Sequence, residues 1–409
     1  MFRPGAPRRL AAWQTHGIAP SLALRGRASA PLTAVPSPLA SFAHGRDNNF
    51  NLIRFVAATN VIVFHSFALT DHRKDDPLLR LTGGVVDGGY LAVMVFFVVS
   101  GFLVAKSFVR QPSVGAFVAA RVLRIYPGLV LAAVVTVLVA GACSTLPWRS
   151  FLGDPQTLEY LLVTASGWDV RDRLPGAFAS NPFPHAVNGS LWTLPIELKF
   201  YVGCLLAGVC TLLHRPWLYN AAFLAGVVLF ARHPEWFPIR PEIGVVRDFA
   251  LAFALGAFAW VNRDRIPLSP WLAAGALLLI AFNPWGLGRR PFFVPLVAYL
   301  VLALALHPRF RFAPFNRVGD YSYGLYVYAF PIQQMLVQVL PGIGPVELFA
   351  AAFAVTAVLA VLSWHLVEQP MLGLKSRFAD GRRVAPAVPE GRDATPEDQP
   401  STSTPGGKP

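Results

Sequence analysis

"NLIRFVAATNVIVFHSFALT", residues 51–70, is a twenty-residue apolar run that carries Arg54 near one end and His65 towards the other. Its length and near absence of charge read as a membrane-spanning helix. At about 100° per residue, the eleven steps from Arg54 to His65 make three turns plus roughly 20°, so both fall on one face, about 16 Å apart along the axis. Ionisable residues inside a membrane usually face a cavity and mark a site. The plainer alternative has Arg54 snorkelling to lipid headgroups and His65 packed as a hydrogen-bonded imidazole.

The rest of the 409 residues repeats the theme. The chain is 54% hydrophobic and only 14% charged, with a mean hydropathy of +0.49. Apolar blocks predict an all-α, polytopic transmembrane helix bundle of about ten spans, near 51–70, 88–106, 125–142, 191–213, 217–231, 245–261, 268–283, 291–307, 320–340 and 346–366. The net charge of +13 invites a nucleic-acid reading, but its distribution is an orientation signal. With a cytoplasmic N-terminus, the inner segments hold 22 Lys/Arg against 10 outside, which fits the positive-inside rule with both termini cytoplasmic. Arg289 and Arg290, on an outer loop, run against it.

Residues 1–46 are rich in Arg, Pro, Ala and Ser and read as a disordered cytoplasmic tail, as do 376–409. The stretch 47–375 between them is the membrane domain. Its longest connection, 143–190, contains "FLGDPQTLEYLLVT", a candidate interfacial helix. Cys143, Cys204 and Cys210 show no metal-ligand spacing and suggest structural packing. No internal repeat is evident, which weakens an inverted-repeat transporter.

Five further stretches carry polar groups that a membrane tolerates only for a reason. "FFVVSGFLV" (96–104) places Ser100-Gly101 in a span, either as a packing notch or as a place where a ligand passes close to the backbone. "ARVLRIYPGL" (120–129) puts Arg121 and Arg124 on one face of a short helix, suited to a phosphate-bearing ligand or to headgroup anchoring. "NGSLWTLPIELKFY" (188–201) supplies Trp192 and Glu197. A glutamate inside a span needs a partner; Lys199, two residues on, points elsewhere, whereas His65 falls at a similar depth by topology. "VGDYSYGLYVYAFPIQQ" (318–334) gives a tyrosine-rich face on which Tyr321 and Tyr323 are either interfacial belt or ligand contacts. "WHLVEQP" (364–370) reads as a helix terminus at Glu368, with basic anchors beyond it.

These stretches, in this order over residues 49 to 372, resemble acyltransferase family 3, membrane enzymes that acylate sugars of bacterial surface polysaccharides and related metabolites. The resemblance implies an enzyme of the bacterial cytoplasmic (inner) membrane that transfers an acyl group, acetyl above all, from cytosolic acyl-CoA to a hydroxyl of a sugar or envelope glycan. It implies that Arg54 and His65 are essential, with His65 at the reaction centre, and that Arg121 and Arg124 help bind acyl-CoA, a co-substrate and not a resident cofactor. Many members carry His where this chain has Tyr328. The extracytoplasmic esterase-like domain of some members is absent from the sequence, so a one-component mechanism or a separate partner protein is expected.

The residues and the resemblance together suggest a division of labour. The donor's phosphates would sit on Arg121, Arg124 and Arg54, and its arm would thread past Ser100. His65 would act as general base on the acceptor hydroxyl, with Glu197 orienting the imidazole or the acceptor. Trp192 and Tyr321 would contact substrate, and membrane lipid would surround the bundle. The competing class is a transporter or flippase of a sugar or lipid-linked intermediate.

Overall fold

The computed structural model describes residues 37–43, 45, 48–237, 244–282, 290–312, 314–315 and 318–378. The tail segments 1–36 and 379–409, and Arg289, lie outside the described residues.

Each of the ten intervals read as spans falls on a helix. These are α1 (Phe50–Leu69), α3 (Gly88–Arg110), α4 (Val114–Ala142), α7 (Leu194–Val209), α8 (Pro216–Arg232), α9 (Gly244–Val261), α10 (Pro270–Phe282), α11 (Arg290–Leu306), α12 (Ser322–Val339) and α13 (Pro345–Ser363). Six are long and apolar enough to cross a membrane: α1, α3, α4, α9, α7 with the 3₁₀ turn before it, and α13 with its continuation to Phe378. Helix α12, which carries Gln333, Gln334 and Gln338, is not among them. Short helices α2 (Pro77–Leu81), α5 (Trp148–Gly153), α6 (Pro155–Ser166) and α14 (Gln369–Gly373) fill the connections, and α5 and α6 cover the stretch expected as one helix.

Local chemistry starts the long helices where the sequence offers acceptors. Asp87 caps α3 by accepting from the Tyr90 amide at 2.7 Å, and Ser113 caps α4 through the Ala116 amide. Helix α4 then runs unbroken through Pro127. Arg121 and Arg124 therefore sit well inside a 29-residue helix, about 43 Å long, and not on the short helix expected at the start of a span.

Helices α3 and α9 make the closest crossing. A Cβ on Gly101 would meet the Phe253 carbonyl, and one on Gly256 would meet the Val98 carbonyl. Small residues let the two backbones touch, the usual basis of helix association in lipid. Helix α12 is the hub of the other half, buried along nearly its whole length and packed on α1, α4 and α13.

The packed chain starts ahead of position 47. Ser37–Pro38 (β1) pairs antiparallel with Pro267–Leu268 (β2), Leu39 and Ala43 are buried, and the Ala43 carbonyl accepts from Lys106 Nζ at 2.7 Å. The ten residues before 47, read as part of a tail, thus include a strap across the bundle.

Candidate active site

The Arg54 end of α1 is a fixed cluster of charges. Arg54 Nη1 and Arg124 Nη2 both donate to Asp320 Oδ2, the second at 2.6 Å, and Ser322 Oγ donates to the other oxygen at 2.5 Å. Arg124 Nη1 also lies 3.6 Å from Glu368 Oε2, and its guanidinium stacks over Tyr323 and Trp364. Glu368 Oε1 accepts from Ser363 Oγ at 2.9 Å, and Ser363 Oγ accepts in turn from the Tyr328 hydroxyl. The cluster joins α1, α4, α12 and the end of α13. The helix expected to end at Glu368 continues through it into α14, and Glu368 is 2% exposed. The cause is a five-residue π-helical turn, Trp364–Glu368, that rotates the carboxylate inward.

Beside the cluster lies a cavity of about 50 Å³ whose polar lining is Arg54, Ser100, Thr193, Glu197, Ser322, Tyr323 and Tyr326. Glu197 accepts from Ser100 Oγ at 2.8 Å and from the Tyr201 hydroxyl one turn further along α7. Arg121 stands behind this pair. Its guanidinium stacks on Phe117 and Tyr201, Nη2 donates to Ser107 Oγ at 3.3 Å, and Nε is buried without a partner.

The His65 end is built differently. The imidazole lies edge-on to Phe330 at 5.0 Å between ring centres and near Phe64, and its Nδ1 is buried with no hydrogen-bond partner. Around it α1 and α12 are pinned by neutral groups. Gln333 Nε2 donates to the Ile62 carbonyl and to Ser66 Oγ, at 2.9 and 2.8 Å. Tyr326, on the cavity, and Phe330, on His65, are four residues apart on α12 and so share a face. That face links the two ends.

Arg54, Ser100 and Glu197 therefore meet in one cavity, with Arg124 and Arg121 immediately behind it. Of the two roles left open for Glu197, orienting the imidazole or the acceptor, the first finds no contact with His65, and the common depth assigned to them is corrected: Glu197 lines the cavity at the Arg54 end. Counting depth from residue 191 assumed a helix beginning at the surface. The chain from Asn188 to Thr193 is instead already buried, with Tyr326 donating to the Ser190 carbonyl and bonded to Thr193, so α7 starts part-way down. Lys199 points away from this cavity, as expected, and lines another.

Trp192 packs on Phe249, outside the cavity lining, and the Tyr321 hydroxyl meets His365 Nε2 at 3.1 Å while its neighbour Tyr323 takes the cavity position. At Ser100-Gly101 the two residues face different ways. Gly101 is the packing notch on α9, and Ser100 faces the cavity. The residues missed were Asp320, Tyr201 and Tyr326. Asp320 had a usable signal, an acid at the threshold of an apolar helix; the two tyrosines had none that separates them from packing aromatics.

Comparison with known proteins identifies the family. A family model described as "Acyltransferase domain" matches residues 47–365. The chain is 29% identical over 357 residues to the O-acetyl transferase of Shigella phage Sf6, covering 80% of this chain and 96% of that one. It is 28% identical over 384 residues to nodulation protein 10 of Rhizobium leguminosarum bv. viciae, covering 84% and 98%. With the peptidoglycan O-acetyltransferase OatA of Listeria monocytogenes it shares 25% over 329 residues, 69% of this chain but 51% of that protein. No solved structure matches. On a match that covers most of its length, the chain belongs to acyltransferase family 3 and is an acyltransferase.

Proposed function

We propose that the protein is an integral-membrane O-acetyltransferase of the bacterial cytoplasmic membrane. In this reading it has ten spans and cytoplasmic termini, and it moves an acetyl group from cytosolic acetyl-CoA to a hydroxyl of a sugar or envelope glycan. The O-acetyltransferase names of the phage and Listeria relatives support the group transferred, and the latter's peptidoglycan substrate supports a glycan acceptor. The carrying observation is the buried, unpartnered Nδ1 of His65, on the helix face that leads back to the Arg54 cavity.

His65 takes the proton of the acceptor hydroxyl as its oxygen attacks the thioester carbonyl. The tetrahedral intermediate then collapses with cleavage of the C–S bond, and the departing thiolate receives that proton from the imidazolium. Free Cys143 and Cys204 are buried in the packing, and neither they nor the exposed Cys210 lines the Arg54 cavity, so direct transfer is favoured over a covalent acyl-cysteine. Among the three arginines expected on the donor, Arg121 keeps an unpartnered Nε and is the group best placed to take a phosphate. Arg54 and Arg124 share Asp320, so a phosphate would reach either by displacing that carboxylate. Their role in this reading is to hold the cavity, with Glu197 and Ser100, where the donor's arm passes. A separate extracytoplasmic protein remains part of the proposal as the means of handing on the acylated product.

The test is release of free CoA thiol from acetyl-CoA by purified protein in nanodiscs with a glycan acceptor, alongside mass spectrometry of the glycan. Equal loss of thiol release and glycan acetylation in His65→Ala supports the proposal. Wild-type movement of glycan without thiol release would sink it in favour of a transporter.

A further inference from the structure

Helices α7, α8 and α9 enclose a second cavity of about 850 Å³, far larger than the one at Arg54. The ring pairs Trp192–Phe249 and Phe200–Phe253 show that α7 and α9 run in the same direction. Helix α8 runs against them, since Asn220 at its start bonds Asn262 at the end of α9. No residue of α8 is buried, so it stands off from α7 and leaves the space between. The walls are apolar and include the Phe223 ring of α8 and the Phe253 ring of α9. Gly203 on α7 and Gly226 on α8 open onto it, and an added Cβ on either would meet nothing within 4 Å.

One end of this cavity is basic. Lys199 in the second turn of α7 and Arg247 in the first turn of α9 both line it, towards the N-terminal ends of these parallel helices. Neither takes part in an ion pair among the described residues. Asp248 lines the same end but is buried and accepts a hydrogen bond from Tyr90 at 2.8 Å, on the α3 side. A long apolar trough closed by two exposed or half-exposed cations complements an amphiphile with hydrocarbon chains and an anionic head. At about 30 Å³ per water-sized group, the volume takes more than one eighteen-carbon chain.

We infer that the α7–α8–α9 cavity is a binding site for an anionic phospholipid, its chains between Gly203 and Gly226 and its phosphate on Lys199 and Arg247. The site backs directly on the active-site wall. Glu197 faces the Arg54 cavity while Lys199 and Phe200, in the next turn, face the lipid. The inference rests on the membrane placement and not on the chemistry at His65, and its readout is binding.

The experiment is native mass spectrometry of the full chain released from nanodiscs of phosphatidylcholine and phosphatidylglycerol in equal amounts. The wild type is expected to retain phosphatidylglycerol preferentially, and Lys199→Gln with Arg247→Gln to lower that preference on the order of tenfold. Gly203→Phe with Gly226→Phe fills the trough and should lose both lipids. Equal retention of the two lipids by the wild type overturns the inference, as does undiminished retention by a filled variant that folds. Should the filled variant not fold, the Lys199/Arg247 pair decides alone, an unchanged preference counting against the site. A polyprenyl phosphate that displaces phosphatidylglycerol at equal concentration overturns the assignment to phospholipid.

Discussion

The two ends of the Arg54–His65 face spend their polar atoms in opposite ways. At the Arg54 end most charges are shared among partners: Asp320 takes both Arg54 and Arg124, Glu368 takes Ser363 and faces Arg124, and Glu197 takes Ser100 and Tyr201, while Arg121 Nε and Glu368 Oε2 stay without a hydrogen bond. At the His65 end the neighbours are aromatic rings, and one ring nitrogen has nothing to bind. A buried polar atom without a partner is costly, and its persistence argues for a partner that comes and goes. In the proposed function the Arg54 end holds geometry and the His65 end carries the reaction.

The largest test removes the unmatched atom. His65→Ala is expected to cut turnover by roughly 10²–10⁴-fold, the usual contribution of a positioned general base, while the melting temperature in detergent stays within a degree or two of wild type, which a structural histidine would not allow. Next comes the matched end. Asp320→Ala strands two guanidiniums in a part-buried site, and breaking such a network costs about 3–5 kcal/mol. Thermal unfolding should show that loss together with reduced yield; a shift under a degree would mean that the cluster is solvated and plays no part in holding the bundle.

A smaller effect separates the two roles at Ser100-Gly101. Gly101→Ala drives a methyl into the Phe253 carbonyl and should cost about 1–3 kcal/mol of stability, with turnover per folded molecule nearly unchanged. A selective loss of turnover would place Gly101 on the ligand path after all. The smallest change is Tyr328→Phe. It removes one buried hydroxyl bonded to Ser363, about 0.5–1.5 kcal/mol, and leaves the Ser363–Glu368 bond in place. A large loss of activity there would give the Tyr328 hydroxyl a part in the reaction.

Much of the architecture was legible before any coordinates. Hydropathy located the ten helical intervals, because a long apolar run has few other ways to satisfy its backbone. The Arg54–His65 face followed from the helical repeat alone. A glutamate inside a span needs partners, and Glu197 has them in Ser100 and Tyr201, but its depth does not follow from the chain. Depth along a chain can be counted only if the helix starts at a known level, and the buried approach from Asn188 to Thr193 moved that level inward. Glu368 was misread for a related reason, since a π turn shifts the angular register that an α-helical count assumes.

By itself the sequence determined the all-helical class, the family, and which polar residues a membrane would not tolerate without cause. Those are properties of composition, period and ordered motifs, each local or cumulative along the chain. Only the tertiary structure decided that Arg54 and Arg124 meet on Asp320, that Glu197 belongs with Ser100 rather than His65, and that α8 stands away from α7 to leave a basic-ended trough. Those outcomes depend on how neighbouring helices are rotated and staggered. Close contacts such as Gly101 on the Phe253 carbonyl set that geometry, and residues such as Arg54 and Asp320 that meet in it are far apart in sequence.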